Sequence, residues 1–312
     1  MSSRRQDAAL RCATAHFGHA PETFENPLTV LASPAWRGVE GDIWRASAGA
    51  GSIILKHYHP DTAFYVDTDT SMTAAKMAGA AGLGPTVIDT WGTDGIIAFE
   101  DIALPWRSGG LQDVVNPRLR ANVIAAKQRF QGLAALGKQV CIFDEIDTFV
   151  SMVRKDAVPI HRDMEVFANF FADARRKIDS RGRDSLPCHR DGNTANYMVG
   201  EGDQIRLIDF DLAGDADPFE DVGCHLVEFF ENDLDARAGF EEWHGSFDEG
   251  LFQRAMLYGL ADDMRWGLIG ALMGARSARS SLEFSKYSAW RFLRLEARLK
   301  TSDAHDRIRI AA

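Results

Sequence analysis

The chain has 312 residues, 46% of them hydrophobic, with a net charge of −10. That is enough apolar material for an ordered protein of two lobes, and the wrong sign for a general nucleic-acid binder. Cys12, Cys141, Cys188 and Cys224 lie far apart with no CxxC pair, so neither a zinc site nor a disulfide framework is expected, and a reducing, cytoplasmic location is.

The opening MSSRRQDAALRC lacks the apolar stretch of a signal peptide, and residues 3–19 read as a short helix. PLTVLAS, GDIWRASA and GSIILKHY are β-rich and punctuated by glycine, which predicts three consecutive antiparallel strands. TSMTAAKMAGAAGLGP is alanine-rich and helical, stopped by its Gly82–Pro85 end, and PTVIDTWG with GIIAFEDI predicts a second hairpin. The first lobe is thus expected to be a five-stranded sheet with one inserted helix, over residues 1–102. After LPWRSGG the pattern turns helical at 117–136, 144–155 and 162–180, and again from Val222 onward, so residues 103–312 are expected to form a mainly helical second lobe. Two short strands are expected around Tyr197 and Ile208. No segment approaches the roughly 18 apolar residues of a membrane span.

CHRDGNTANYMV, followed after seven residues by LIDFDLAG, carries the chemistry. A turn holding Asp191 and Asn196, then a hairpin ending at Asp209, brings three oxygen-bearing side chains to one edge. Two hard oxygen ligands suit Mg²⁺ among water and phosphate, and a carboxylate off the metal can take a proton from an attacking hydroxyl. That division of labour is the one phosphoryl transfer needs. Alone, Asp191 and Asn196 would read as an Asx-turn pair; Asp211 either reaches a metal or caps a turn, and the turn is the expectation. Lys56 ends an apolar strand, where an ammonium either meets an anion or snorkels from the strand end. Gly38 and Gly41 in SPAWRGVEGDIW offer backbone N–H groups to phosphates. From Asp209 to Glu249 there are fourteen acids and one basic residue, Arg237, which is a solvated face or a field that draws metal or a cationic substrate.

HRDGNTAN resembles the catalytic loop of the protein-kinase-like fold. LIDFDLAGDADPFEDVG is similar to the aminoglycoside phosphotransferase and choline kinase branch of small-molecule kinases. The resemblance implies an α+β, bilobal protein-kinase-like fold, with an antiparallel five-stranded sheet and a mainly helical second lobe. It implies ATP and Mg²⁺ as cofactors, Asp191 as the catalytic base, and Asn196 and Asp209 as metal ligands. His189 and Asp221 match the positions that brace the loop, and Lys56 matches the phosphate-binding lysine of the third strand. The backbones of Glu100 and Ile102 match the adenine-binding hinge. The family's helix glutamate is absent, so either Asp67 or Asp69 reaches Lys56 from one turn earlier or the pair is missing. DVGCHLVEFFEND and RWGLIGALMGARSARSSLEFSKYSAWR resemble choline and ethanolamine kinases, with Glu228 and Trp266 at acceptor-binding positions. Ile269 stands where a second tryptophan would be, so the aromatic pocket is either incomplete or completed from elsewhere, by Phe229, Tyr287 or Trp290. The acceptor implied is a small cationic alcohol, choline- or ethanolamine-like, with no nucleic-acid partner. The rivals are an aminoglycoside or other metabolite kinase, and a nucleotide-binding pseudokinase without turnover.

Overall fold

The computed structural model describes residues 2–28, 30–33, 35–102, 104–300 and 304–312. Helix α1 (Ser2–Phe17) lies against an antiparallel sheet of order β1-β2-β3-β5-β4, made of β1 (Thr23–Glu25), β2 (Gly41–Ala48), β3 (Gly51–Tyr58), β4 (Val87–Trp91) and β5 (Ile96–Glu100). Strand β3 is central, and its register sets Lys56 between Ile43 of β2 and Ile97 of β5. Helix α2 (Thr68–Ala80) is inserted between β3 and β4, and Asp67 caps it by accepting the Thr70 N–H at 3.0 Å.

The first strand departs from expectation. It is Thr23–Glu25, and the described part of PLTVLAS is irregular, touching the sheet pattern only through a bridge between Leu31 and Arg37. Pro27 has no N–H for a ladder, which shifts pairing upstream; Thr29 and Pro34 fall outside the described residues. The expected lobe boundary abuts residue 103, which also lies outside them.

Beyond it come β6 (Arg107–Ser108), α3 (Pro117–Gln131), α4 (Ile142–Lys155), α5 (Met164–Asp179), β7 (Leu186–Cys188), β8 (Tyr197–Val199), β9 (Ile205–Leu207) and β10 (Gly214–Ala216). They are followed by α6 (Phe219–Phe229), α7 (Asp233–His244), α8 (Glu249–Arg276), α9 (Phe284–Leu299) and α10 (Ala304–Ile310). Asn116 and Pro117 start α3, the cap and first-turn pair such a helix favours. It ends at Gln131, five residues short of the expected limit, because the chain turns at Gly132. Helix α8 is the axis of the second lobe: Phe252–Met273 is buried along its whole length, with α4, α6 and α9 packed on it. At the α6–α8 crossing a Cβ on Gly223 would lie 2.3 Å from the Ala255 carbonyl oxygen. Glycine therefore lets the two backbones touch, and this fixes α6, which carries Asp221 and Glu228.

Candidate active site

The loop between β7 and β8 is held from below by Asp221. This residue is 0% exposed and accepts N–H groups from His189 at 3.2 Å and Arg190 at 2.8 Å, together with Gln131 Nε2 at 3.1 Å. Lys127 supplies its counter-charge at 3.4 Å and also donates to the Asp191 carbonyl at 2.7 Å. His189 donates from Nε2 to the Ile208 carbonyl at 2.9 Å, tying the loop to the segment that bears Asp209. Burial lowers the His189 pKa, and Lys127 adds to the shift, so the ring is the neutral Nε2–H tautomer.

Arg190 takes a left-handed backbone at φ 64° and turns its guanidinium into the core. There it meets Glu220 at 2.7 Å and Glu145 at 2.8 and 2.9 Å. Arg265 adds a bond to the Arg190 carbonyl at 2.7 Å. A buried ion network of this kind fixes geometry, because loss of any member leaves a charge unpaired in low dielectric. Sequence reasoning missed Lys127, Glu145, Arg190, Glu220 and Arg265. Only Arg190 and Glu220 lie within the motif itself.

Asp191 emerges from this base with 9% exposure, one carboxylate oxygen accepting the Asn193 N–H at 2.8 Å. Burial, aided by Asp262 and Asp209, outweighs that hydrogen bond and raises its pKa to about 7. On α6, Glu228 presses its stem against the same loop. A Cβ on Gly192 would lie 2.9 Å from Glu228 Cγ and 2.3 Å from the Cys224 carbonyl oxygen.

Across the cleft, Lys56 Nζ donates to Asp209 and Asp211, at 2.6 Å each. Burial alone would lower the Lys56 pKa, but the two acids raise it well above its ordinary value. Asp209 has its pKa lowered, Lys56 overcoming the opposite effect of burial; that of Asp211 is raised by burial and by Asp209. Asp211 is thus not the mere turn cap expected from sequence. It is a buried partner of Lys56 and accepts the Ser71 hydroxyl at 3.1 Å. The expected substitute acids are elsewhere: Asp67 caps α2 and faces Lys138 at 3.2 Å, and Asp69 is exposed.

Glu40, another residue the sequence did not single out, brings a third carboxylate. Oxygens of Glu40, Asp209 and Asp211 lie within 4.8 Å of one another. Three carboxylates around one ammonium leave room for further positive charge, and Asn196 adds an amide oxygen to the same cleft. This all-oxygen donor set fits Mg²⁺.

The cleft measures about 330 Å³ and is lined by Gly38, Arg37, Lys56, Phe99, Ile102 and Asn196, among others. Glu100 also borders it, with its carboxylate turned to the Thr86 N–H at 2.8 Å and Arg206 at 2.6 Å. The Glu100 N–H is itself engaged by the Thr86 carbonyl at 2.9 Å.

Trp266 is 4% exposed among rings. Its centroid is 5.4 Å from Trp36 and 6.3 Å from both Tyr65 and Tyr287. The other expected rings divide. Tyr287 joins this cluster, Phe229 stacks on His225 at 4.1 Å, and Trp290, 42% exposed beside Arg291 and Arg294, reaches the edge of the cluster at 5.7 Å from Tyr287. Glu228 is not the open anion expected. One of its oxygens takes Arg291 at 2.8 Å and Arg294 at 2.7 Å. Against the effect of burial, they hold its pKa down to about 2.

No curated protein matches the chain in sequence. Its fold is that of several solved structures. A choline/ethanolamine kinase family protein of Mesorhizobium loti superposes with a TM-score of 0.78 and 20% identity, over 98% of each chain. Choline kinase LicA of Streptococcus pneumoniae gives 0.77 at 14% identity, over 94% of this chain and 98% of that one. A spectinomycin phosphotransferase in complex with ADP and spectinomycin gives 0.55 at 16%, over 91% and 93%. Residues 32–258 match the Phosphotransferase enzyme family. Because that match runs from just before the glycine-bearing hairpin into the middle of α8, well over half of the chain, the protein belongs to this family.

Proposed function

We propose that the protein is an ATP- and Mg²⁺-dependent small-molecule kinase that moves the γ-phosphate to a hydroxyl of a small cationic alcohol, choline- or ethanolamine-like. The observation that carries this is the position of Asp191. It is a buried carboxylate with its pKa raised to about 7, close enough to Asp209 of the cleft and to Tyr287 of the ring cluster for charge to act between them. In this reading the backbones of Glu100 and Ile102 hold the adenine, and Lys56 meets nucleotide phosphate. Asn196 and Asp209 hold Mg²⁺, which when bound neutralises phosphate charge. Asp191 orients the acceptor hydroxyl and takes its proton. His189 and Asp221 keep the loop in place through the bonds described above.

Acceptor recognition falls to aromatic faces, since a quaternary ammonium has no N–H to donate. Trp266 is the expected anchor. Glu228 borders the loop and contributes a hydrogen-bond acceptor there, its net charge being compensated by Arg291 and Arg294. That compensation favours, within the second reading of an aminoglycoside or other metabolite kinase, an uncharged hydroxylated metabolite, since an aminoglycoside with several ammonium groups would want open carboxylates. The convergence of Asp191, Asn196, Asp209 and Lys56 speaks against a pseudokinase.

An ATP-consumption screen with choline, ethanolamine, aminoglycosides and sugars tests this. Turnover is expected with the amino alcohols. Trp266→Ala should raise the acceptor KM from a few-fold to about 30-fold, the range of a cation–π contact, and leave the KM for ATP unchanged. Turnover of an aminoglycoside alone would establish the second reading, and none with any acceptor the pseudokinase.

The pH profile is a separate check. A base must be ionised, so kcat/KM should rise with pH and level off above about 7, the Asp191 value. A rate flat from about pH 5 to 8 would remove Asp191 as the base.

A further inference from the structure

A side chain of the helical lobe takes hold of the wall of the nucleotide cleft from outside it. Arg279 lies in the loop between α8 and α9, and its guanidinium bonds to residues more than two hundred positions earlier in the chain. Nε and Nη2 form a two-pronged pair with the Asp61 carboxylate, at 3.0 and 2.9 Å. Nη1 donates to the Val39 carbonyl at 2.7 Å. Val39 stands between Gly38, which lines the cleft, and Glu40, whose carboxylate belongs to the group around Lys56. Gly38 takes a left-handed backbone at φ 62°, so the chain turns sharply just before the bonded carbonyl.

The arginine is itself held in place. Asp61, in the short turn Pro60–Thr62 after β3, also accepts the Ser277 hydroxyl at 2.6 Å. Ser277 ends α8, its N–H on the Met273 carbonyl at 2.9 Å, and its hydroxyl accepts the Arg279 N–H at 3.1 Å. The guanidinium stands 5.7 Å from the ring centroid of Phe284, the first residue of α9. A fork on a carboxylate sets the plane of a guanidinium, so the remaining Nη1 is aimed at Val39. An ion pair that only joined the two lobes would be complete with Asp61. The further bond goes to the backbone of the segment that walls the cleft. That segment has slight support from its own sheet: the bridge between Leu31 and Arg37, and the His59 N–H on the Glu40 carbonyl at 2.7 Å. Its other tie to the second lobe is Asn193 Nδ2 on the Trp36 carbonyl, at 2.9 Å.

We infer that Arg279 is a positioning residue for the nucleotide: from the helical lobe it fixes the depth of the Gly38–Glu40 backbone, so that this segment covers the terminal phosphates of ATP. The inference rests on the ATP reading above and adds to it a residue far from the nucleotide-binding sheet in sequence. Arg279 is not among the residues that line the cleft, and its effect passes through the Val39 carbonyl.

Calorimetric titration of MgATP and of AMP into the wild type, Arg279→Ala and Arg279→Lys tests this. AMP keeps the adenine and ribose of ATP and lacks the two phosphates that the segment would cover. The wild type should bind MgATP more tightly than AMP. Arg279→Ala should weaken MgATP roughly 3- to 30-fold, part of the worth of a charge-assisted hydrogen bond, and leave AMP within a factor of about two. Arg279→Lys keeps the charge but cannot fork on Asp61 and reach the carbonyl together. It should lose less than the alanine variant, and it decides the matter if that variant does not fold. An MgATP affinity unchanged in every variant that folds overturns the inference. So does an equal loss for MgATP and AMP, which would make Arg279 a stabiliser of the lobe contact alone. In both cases the wild-type preference for MgATP leaves the proposed function standing. A wild type that binds MgATP no more tightly than AMP overturns the nucleotide reading and this inference together.

Discussion

Asp191→Asn is expected to fold, to bind MgATP as the wild type does, and to lose about 10²- to 10⁴-fold in kcat, the contribution of a positioned general base. The amide keeps the shape of the carboxylate and an oxygen for the Asn193 N–H, so the loop pinned by Asp221 and Arg190 keeps its form. What disappears is the ability to take a proton. Stability gives an independent reading. Asp191 has its folded pKa raised to about 7 from an ordinary value near 4. The folded state therefore binds more protons than the unfolded one between those values, and this group destabilises the fold as pH rises through that window. The variant should match the wild type in Tm near pH 4 and exceed it near pH 8. Comparing kcat, nucleotide affinity and Tm at both ends of the range checks all three statements. Near-normal kcat would take Asp191 out of the mechanism, and equal Tm values throughout would show that its carboxylate is not buried as described.

Asp209→Asn is expected to remove the Mg²⁺ dependence of ATP binding. The amide suits the site better than alanine would, because Asp209 sits at φ 64°, where asparagine is tolerated and most side chains are strained. Lys56 keeps Asp211 at 2.6 Å, so the ammonium is not orphaned and the lobes stay joined. The loss is of the charged ligand of the pair, and a neutral amide beside Asn196 holds the ion poorly among phosphates. Calorimetric titration of ATP with and without Mg²⁺ should show a large difference for the wild type and almost none for the variant. A preserved Mg²⁺ effect would move the metal to Asp211 and Glu40.

The segment from His189 to Asp221 was legible because its chemistry is local: each residue lies within a few positions of the turn that orients it. The central strands were legible for the same reason, since hairpins declare themselves by alternation and by glycine. The residues that escaped notice act over long range. Glu40 reads as one more acid in a glycine-bearing hairpin, and only the fold puts it within 4.8 Å of Asp209 and Asp211. Trp36 reads as a stray aromatic in a loop, and its partners are on α8 and α9. Asp211 looked like a turn residue because sequence shows two aspartates flanking Phe210. It does not show that the phenyl ring turns into the core while both acids turn to Lys56. Glu228 was found at the loop, and its two arginines lie some sixty residues on, beyond any local pattern.

The way Lys56 is balanced has a bearing on control. In protein kinases an inward-facing helix glutamate holds this lysine, so swinging that helix outward is an off-switch. Here α2 reaches the group through a single neutral hydroxyl, Ser71, while both acids on Lys56 come from the segment after β9. Sliding α2 away would part Ser71 from Asp211 and Tyr58 and open the packing of Met72, Ala75 and Ala78, yet leave the ammonium paired with both acids. The helix that serves elsewhere as a regulatory lever is uncoupled from the charge it would have to disturb.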